Sequence, residues 1–153
     1  MTPAALDAAI PAGATILLDT SAVLAYLSGA ELASAAATSV IDGLVATGRN
    51  PAVVSAITVT EALVRPMRAT SSTAIRLVDD FLLRFPHLRI DPVTIAVARE
   101  AARIRATTAA RTPEALILAT AALAPAPIVV CSDASWPSLA KRAQLEARVV
   151  VLA

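Results

Sequence analysis

The sequence predicts an α/β domain built on a parallel sheet with helices on both sides. Three observations point to it. Five short apolar runs recur along the chain, and four of them are nearly continuous and rich in β-branched residues, as strands buried on both faces are. Between them lie segments long enough for crossover helices. Helix-capping residues stand at the junctions.

The elements follow in order. Residues 1–13 read as a short extension, with one helical turn after Thr2-Pro3, and the domain proper runs over 14–153. The first strand is ATILL (14–18), and Thr20 or Ser21 caps a helix over Ala22 to Leu27. An Ala-rich helix is expected from Glu31 to Thr47, stopped by Gly48. The second strand is PAVVS (51–55), and Thr58-Val59-Thr60-Glu61 reads as a capping box opening a helix that ends or kinks at Pro66. Ser71 or Ser72 caps a helix to Phe85, and HLRI (87–90) is the third strand. Pro92 or Val93 opens a helix to Thr108. Thr112-Pro113 supplies a cap and a first-turn proline for a helix to Leu123. PIVVC (127–131), a helix from Trp136 to Glu146 and ARVVVL (147–152) complete the chain.

At 153 residues the length fits one domain with a real core, and the composition is 57% apolar, 16% charged and only 3% aromatic. The net charge of +1 offers no gross basic field to nucleic acid. Among the 13 basic residues only Lys141 is a lysine; arginine forks suit phosphate, although a GC-rich coding bias produces the same preference. The single cysteine, Cys131, excludes an internal disulfide and agrees with a cytoplasmic location. The start MTPAALDAAIPAG has no basic region and no long apolar run, so neither a signal peptide nor a membrane span is expected.

The acids carry the chemistry. Asp19 directly follows the first strand and Asp133 the fourth, at the carboxyl edge where open α/β sheets bind ligands. Glu61 and Glu114 each fall in the expected first turn of a helix that starts near the same edge. Four carboxylates gathered at one rim repel one another, and a hard divalent cation relieves that repulsion. An all-oxygen set without His or Cys suits Mg²⁺ or Mn²⁺ and argues against zinc. Taken singly, each acid also has a structural reading: Glu61 closing the capping box, Glu114 complementing a helix dipole, Asp19 and Asp133 serving turns or caps. A dehalogenase-type phosphatase would need an Asp where Ser21 stands. A receiver domain would need a lysine ending a late strand, whereas Lys141 is mid-helix.

LLDTSAVLAYL (17–27), SAITVTEALVRP (55–66), RTPEALILATA (111–121) and VVCSDASW (129–136) resemble, in order and spacing, the motifs of PIN domains, above all the VapC-type toxins of VapBC toxin–antitoxin pairs. The resemblance covers the chain from Ala14 onward. It implies a three-layer α/β/α domain around a parallel five-stranded sheet. It also implies an Mg²⁺- or Mn²⁺-dependent endoribonuclease that cuts cellular RNA of the tRNA or rRNA class. A VapB-like antitoxin would neutralise it, and it would pair as a homodimer. The family's four acids map to Asp19, Glu61, Glu114 and Asp133. The first three would hold one ion, Asp133 with Asp19 a second ion or a metal-bound water, and Glu61 would orient the attacking water. Arg111 and Ser132 are the expected RNA contacts, Ser132 keeping a hydroxyl within reach of water at the metal. The chain departs from the family in three places. Glu114 replaces the usual aspartate, Cys131 and Ser132 replace the Thr and Asn before the last acid, and the N-terminal extension is atypical. A PIN-fold module that has lost catalysis and acts only through a protein partner is the alternative.

Overall fold

The computed structural model describes residues 3–152. Met1, Thr2 and Ala153 lie outside it, and with them the expected role of Thr2 at the head of the first turn. Five strands, β1 (Ile16–Leu18), β2 (Ala52–Ser55), β3 (Leu88–Asp91), β4 (Ile128–Cys131) and β5 (Arg148–Val151), form one sheet in the order β3-β2-β1-β4-β5. Every neighbouring pair is parallel. The three central strands are the fully buried ones, which is why their sequences run apolar without alternation.

The faces of the sheet divide the helices. Ile16, Leu18, Ala52, Val54 and Val130 point to a core shared with α1 (Pro3–Ala9), α2 (Thr20–Ser28), α3 (Ser34–Val40), α4 (Ala56–Arg68) and α5 (Ser72–Arg84). Leu17, Val53, Val129 and Cys131 point to the other face, under α6 (Ile95–Thr107), α7 (Thr112–Leu123) and α8 (Trp136–Arg142). Three layers result, as the sequence implies. No helix among the described residues is long and apolar enough to cross a membrane.

Several boundaries differ from expectation. The cap of α2 is Asp19, one residue before the expected Thr20 or Ser21; its extended backbone lets the carboxylate accept from the Ser21 N–H. The Ala-rich helix begins at Ser34 rather than Glu31, because the Ser34 hydroxyl closes a loop, accepting from Glu31 N and donating to the Ala25 carbonyl. It then widens into a π-helical turn over Ile41–Val45. The capping box at Thr58 does not form. Helix α4 starts at Ala56, so Thr58 and Glu61 lie within it, and Thr58 is fully buried. Pro66 does not end α4; it sits in the last turn, where the one backbone bond it removes is tolerated. The cap of α6 is Thr94, which accepts from Val97 N.

The N-terminal segment packs against the main core. Leu6 and Ile10 are fully buried in the α1–α5 layer, each side chain contributing about 1.5–3 kcal/mol. The fully buried Asn50 ties it down, its amide donating to the carbonyls of Pro11 and Ala14 at 2.8 Å each. Arg49 adds a bond to the Ile10 carbonyl at 3.1 Å. Removing the Asn50 amide leaves two carbonyls without their donor. Asn50→Ala is expected to lower stability by about 2–3 kcal/mol in urea unfolding; a loss below about 0.5 kcal/mol would show that the clamp contributes little.

Candidate active site

The order β3-β2-β1-β4-β5 contains one switch point. The chain winds from β1 outward to β3, then returns to the other side of β1 for β4. Loops leaving the carboxyl ends of β1 and β4 therefore diverge, one to each layer, and a crevice opens between them. Both strands are followed there by an aspartate.

Asp19 continues the ladder beyond β1, its N–H donating to the Val130 carbonyl at 2.9 Å. The residue is buried. One carboxylate oxygen, Oδ2, accepts from Ser21 N at 3.0 Å and also from the Ser21 hydroxyl. The same hydroxyl accepts from Ser132 N at 2.9 Å, so Ser21 ties the Asp19 carboxylate to the loop after β4. Desolvation raises the Asp19 pKa, the Ser21 and Thr20 bonds oppose the rise, and the Glu61 charge adds to it.

Glu61 reaches the crevice from the second turn of α4. Its Oε2 accepts from the Thr20 hydroxyl at 2.6 Å, and that hydroxyl lies 3.1 Å from the buried Thr58 hydroxyl. Thr20 has one proton. The shorter, charge-assisted contact takes it, so Thr58 donates to Thr20 in return. Thr58 thus holds the donor that holds Glu61, a role unlike the cap the sequence suggests.

Glu114 is the third residue of α7. Its Oε2 accepts from the Arg111 backbone N–H at 2.9 Å, half of a capping box. Its Oε1 accepts from Arg111 Nε at 2.8 Å and Nη2 at 2.5 Å. Asp133, exposed two residues beyond β4, accepts from Ser135 N at 2.8 Å, and that bond holds its pKa below the usual range.

All four acids line a single cleft of about 220 Å³, with Thr20, Ser21, Arg111 and Trp136 among the other walls. Arg111 is the one basic residue among the described walls, and it feels the charges of Glu61 and Asp133 as well as Glu114. Ser132 does not line the cleft; its backbone serves Ser21. Trp136 is buried at the start of α8, as helix-start packing expects. Tyr26 stacks near Phe81 and Phe85, away from the acids, with its hydroxyl on Asp42 at 2.8 Å. Arg103 pairs with Glu100 on the helix surface. The supporting roles of Thr20, Ser21 and Thr58 are not evident from sequence; the one signal is their hydroxyls beside Asp19 and one turn before Glu61.

The lining contains no His or Cys among the described residues, and its oxygen donors suit a hard divalent cation. Among the described residues no three His, Cys, Asp or Glu side chains stand close enough to ligate one ion together. Mg²⁺ does not require three, since it keeps several waters and takes one or two carboxylates beside the substrate's phosphates. Asp19 and Glu61, which both line the cleft, are the carboxylates that could serve such an ion.

The family model for the PIN domain matches residues 16–142. No curated protein matches the chain at a significant level. Among solved structures, one similar fold is VapBC2 from Rickettsia felis bound to a DNA fragment from its promoter. That match has a TM-score of 0.67 and 15% identity, over 88% of this chain and 98% of the other. Another is VapC20 from Mycobacterium tuberculosis, described as a sarcin–ricin loop cleaving toxin, with a TM-score of 0.65 and 16% identity over 80% and 93%. FitAcB from Neisseria gonorrhoeae gives 0.64 and 22% over 86% and 95%. These likenesses establish a common fold.

The buried charge on Asp19 carries a pH signature. Its folded pKa lies above the unfolded value of 3.8, so the folded state binds this proton more tightly. The ionised carboxylate therefore costs stability once pH rises through the folded pKa. Asparagine keeps the cap and removes the charge. With chelator present, Asp19→Asn is expected to melt above the wild type at pH 7, the advantage fading as pH falls towards about 4. Thermal scans between those values check it, and an equal or lower Tm at pH 7 would contradict the burial cost.

Proposed function

This chain belongs to the PIN-domain family, and from that membership we propose that it is an Mg²⁺- or Mn²⁺-dependent endoribonuclease, a VapC-type toxin held in check by a VapB-like antitoxin. The observation that carries the reading is the convergence of Asp19, Glu61, Glu114 and Asp133, from four separate segments, on one cleft at the β1/β4 switch point.

In this reading Asp19 and Glu61 hold the cation, with Asp133 and Glu114 on the flanks. When bound, the metal supplies Lewis acidity and neutralises charge at the phosphodiester. The chain's own residues do the rest. Thr20 fixes one oxygen of Glu61, leaving the other to orient a water for attack. Ser21 fixes the Asp19 carboxylate between the two loops. Arg111, exposed at the rim, grips a backbone phosphate. Four acids against one arginine leave the cleft itself negative, so a phosphate enters only with a cation.

An RNA substrate of the rRNA class is in keeping with the Mycobacterium tuberculosis neighbour's description as a sarcin–ricin loop cleaving toxin, tRNA being the other class the resemblance implies, and an antitoxin partner is in keeping with the VapBC complex. Exposed Met67, Leu77 and Leu83 put apolar surface on α4 and α5; together with the Ala-rich α3 these helices are our candidates for the homodimer and antitoxin contacts. The second reading, a binding module without catalysis, is favoured by one observation: Glu114 is already occupied by Arg111.

Asp19→Asn separates the two. As a nuclease, the variant is expected to lose RNA cleavage by more than about 100-fold and to lose the Mn²⁺-induced rise in Tm, with unchanged circular dichroism. Cleavage at the normal rate would remove Asp19 from the mechanism, and a wild type that neither cleaves RNA nor responds to Mn²⁺ would favour the module. For Arg111→Ala, the plot of log affinity against log salt for a single-stranded RNA is expected to flatten by about 0.7, the share of one phosphate contact. An unchanged slope would exclude the contact.

A further inference from the structure

The Arg111–Glu114 pair differs from an ordinary surface ion pair in how the two carboxylate oxygens are divided. Oε2 is held at 2.9 Å by the Arg111 backbone N–H, which fixes the glutamate at the head of α7. Oε1 is held only by the guanidinium, through Nε at 2.8 Å and Nη2 at 2.5 Å. Glu114 is largely covered while the arginine side chain is 80% exposed. The arginine can leave into solvent at little cost, and the glutamate would stay where it is, anchored by the backbone bond. What remains is an immobilised carboxylate, with one oxygen released, on the wall of a cleft that Asp19, Glu61 and Asp133 also line.

We propose that the Arg111 side chain is a resident counter-ion for Glu114 Oε1, which a divalent cation entering the cleft displaces, so that metal loading frees the guanidinium for an incoming phosphate. The proposal rests on the metal-dependent reading above and adds a competition within it. It accounts for the pairing within the cleft: the one basic residue among the described walls is spent on one of its acids. Cation and arginine oppose each other at Glu114, so removing the arginine strengthens metal binding by whatever its ion pair contributed.

Calorimetric titration of Mn²⁺ into chelator-treated protein at pH 7 tests this without reference to activity. Exposed ion pairs are weak, so Arg111→Gln is expected to tighten the Mn²⁺ Kd by about two- to fivefold. Arg111→Lys, with charge but no fork, is expected to fall between wild type and Gln. In a Glu114→Gln background the gain is expected to vanish, since there is no longer a carboxylate to release. An Arg111→Gln variant that binds Mn²⁺ no more tightly overturns the proposal. So does a gain that persists in the Glu114→Gln background, which would mark only the loss of a nearby positive charge. Binding that survives Asp19→Asn unchanged counts instead against the metal site of the parent reading, and absence of Mn²⁺ binding in every variant counts against both.

Discussion

The reversal of winding direction between β1 and β4 is the constraint on which the site depends. Parallel strands need right-handed crossovers, so a chain that steps one way across the sheet lays its helices on one face, and stepping the other way lays them on the opposite face. Here β1 to β3 are joined over the face that carries α2 to α5, and β3 to β5 over the face that carries α6 to α8. The loops after β1 and β4 are driven apart although the strands themselves are hydrogen-bonded neighbours. The crevice follows from topology alone. The residues placed in it then decide its chemistry, and the bond from Asp19 N to the Val130 carbonyl fixes how far the first acid projects from the sheet.

A cleft lined by four carboxylates has to be tolerable in the absence of any cation. The protein manages this by giving each acid a local donor: Ser21 for Asp19, Thr20 for Glu61, Arg111 for Glu114 and the Ser135 N–H for Asp133. Exposed Asp133 is eased further by water and screening. The unrelieved cost gathers on Asp19, the one buried acid among the described residues. A carboxylate perturbed by burial in a cleft marks a candidate functional site, and in the proposed reading a cation beside Asp19 would offset the penalty that burial imposes.

Much of the fold was legible because the central strands announce burial on both faces. The acids at their ends were legible because a residue directly after a buried parallel strand has to emerge at the carboxyl edge of the sheet. Local chemistry was harder to read. The Thr58-to-Glu61 spacing mimics a capping box, yet α4 begins earlier, because the chain passes from β2 into the helix without a loop. Thr58 is then free to serve Thr20 from inside the core, a contact spanning 38 residues that no local pattern encodes. Likewise the Ser34 hydroxyl, by bonding the Ala25 carbonyl, shortens a helix that propensity alone would extend to Glu31. Arg111 could be placed at the rim from its position before Thr112-Pro113, but its partner could not, since the side chain has both a phosphate and a neighbouring carboxylate as natural ends.

Glu114 shows what a longer acid does at a position where the sequence resemblance leads one to expect aspartate. A capping box at the head of α7 needs a side chain at the third helical position long enough to fold back to the N–H of the residue before the helix, which is the reach of glutamate. The extra methylene thus ties the acid to the helix start through Oε2. Had the carboxylate been held by Arg111 alone, exchange of the arginine would release a flexible side chain, and ordering it again would offset part of any gain from a metal. With the backbone bond in place, one oxygen is structural and the other exchangeable. In the proposed reading the longer side chain therefore does more than lengthen a ligand; it separates the task of holding the acid in position from the task of offering it.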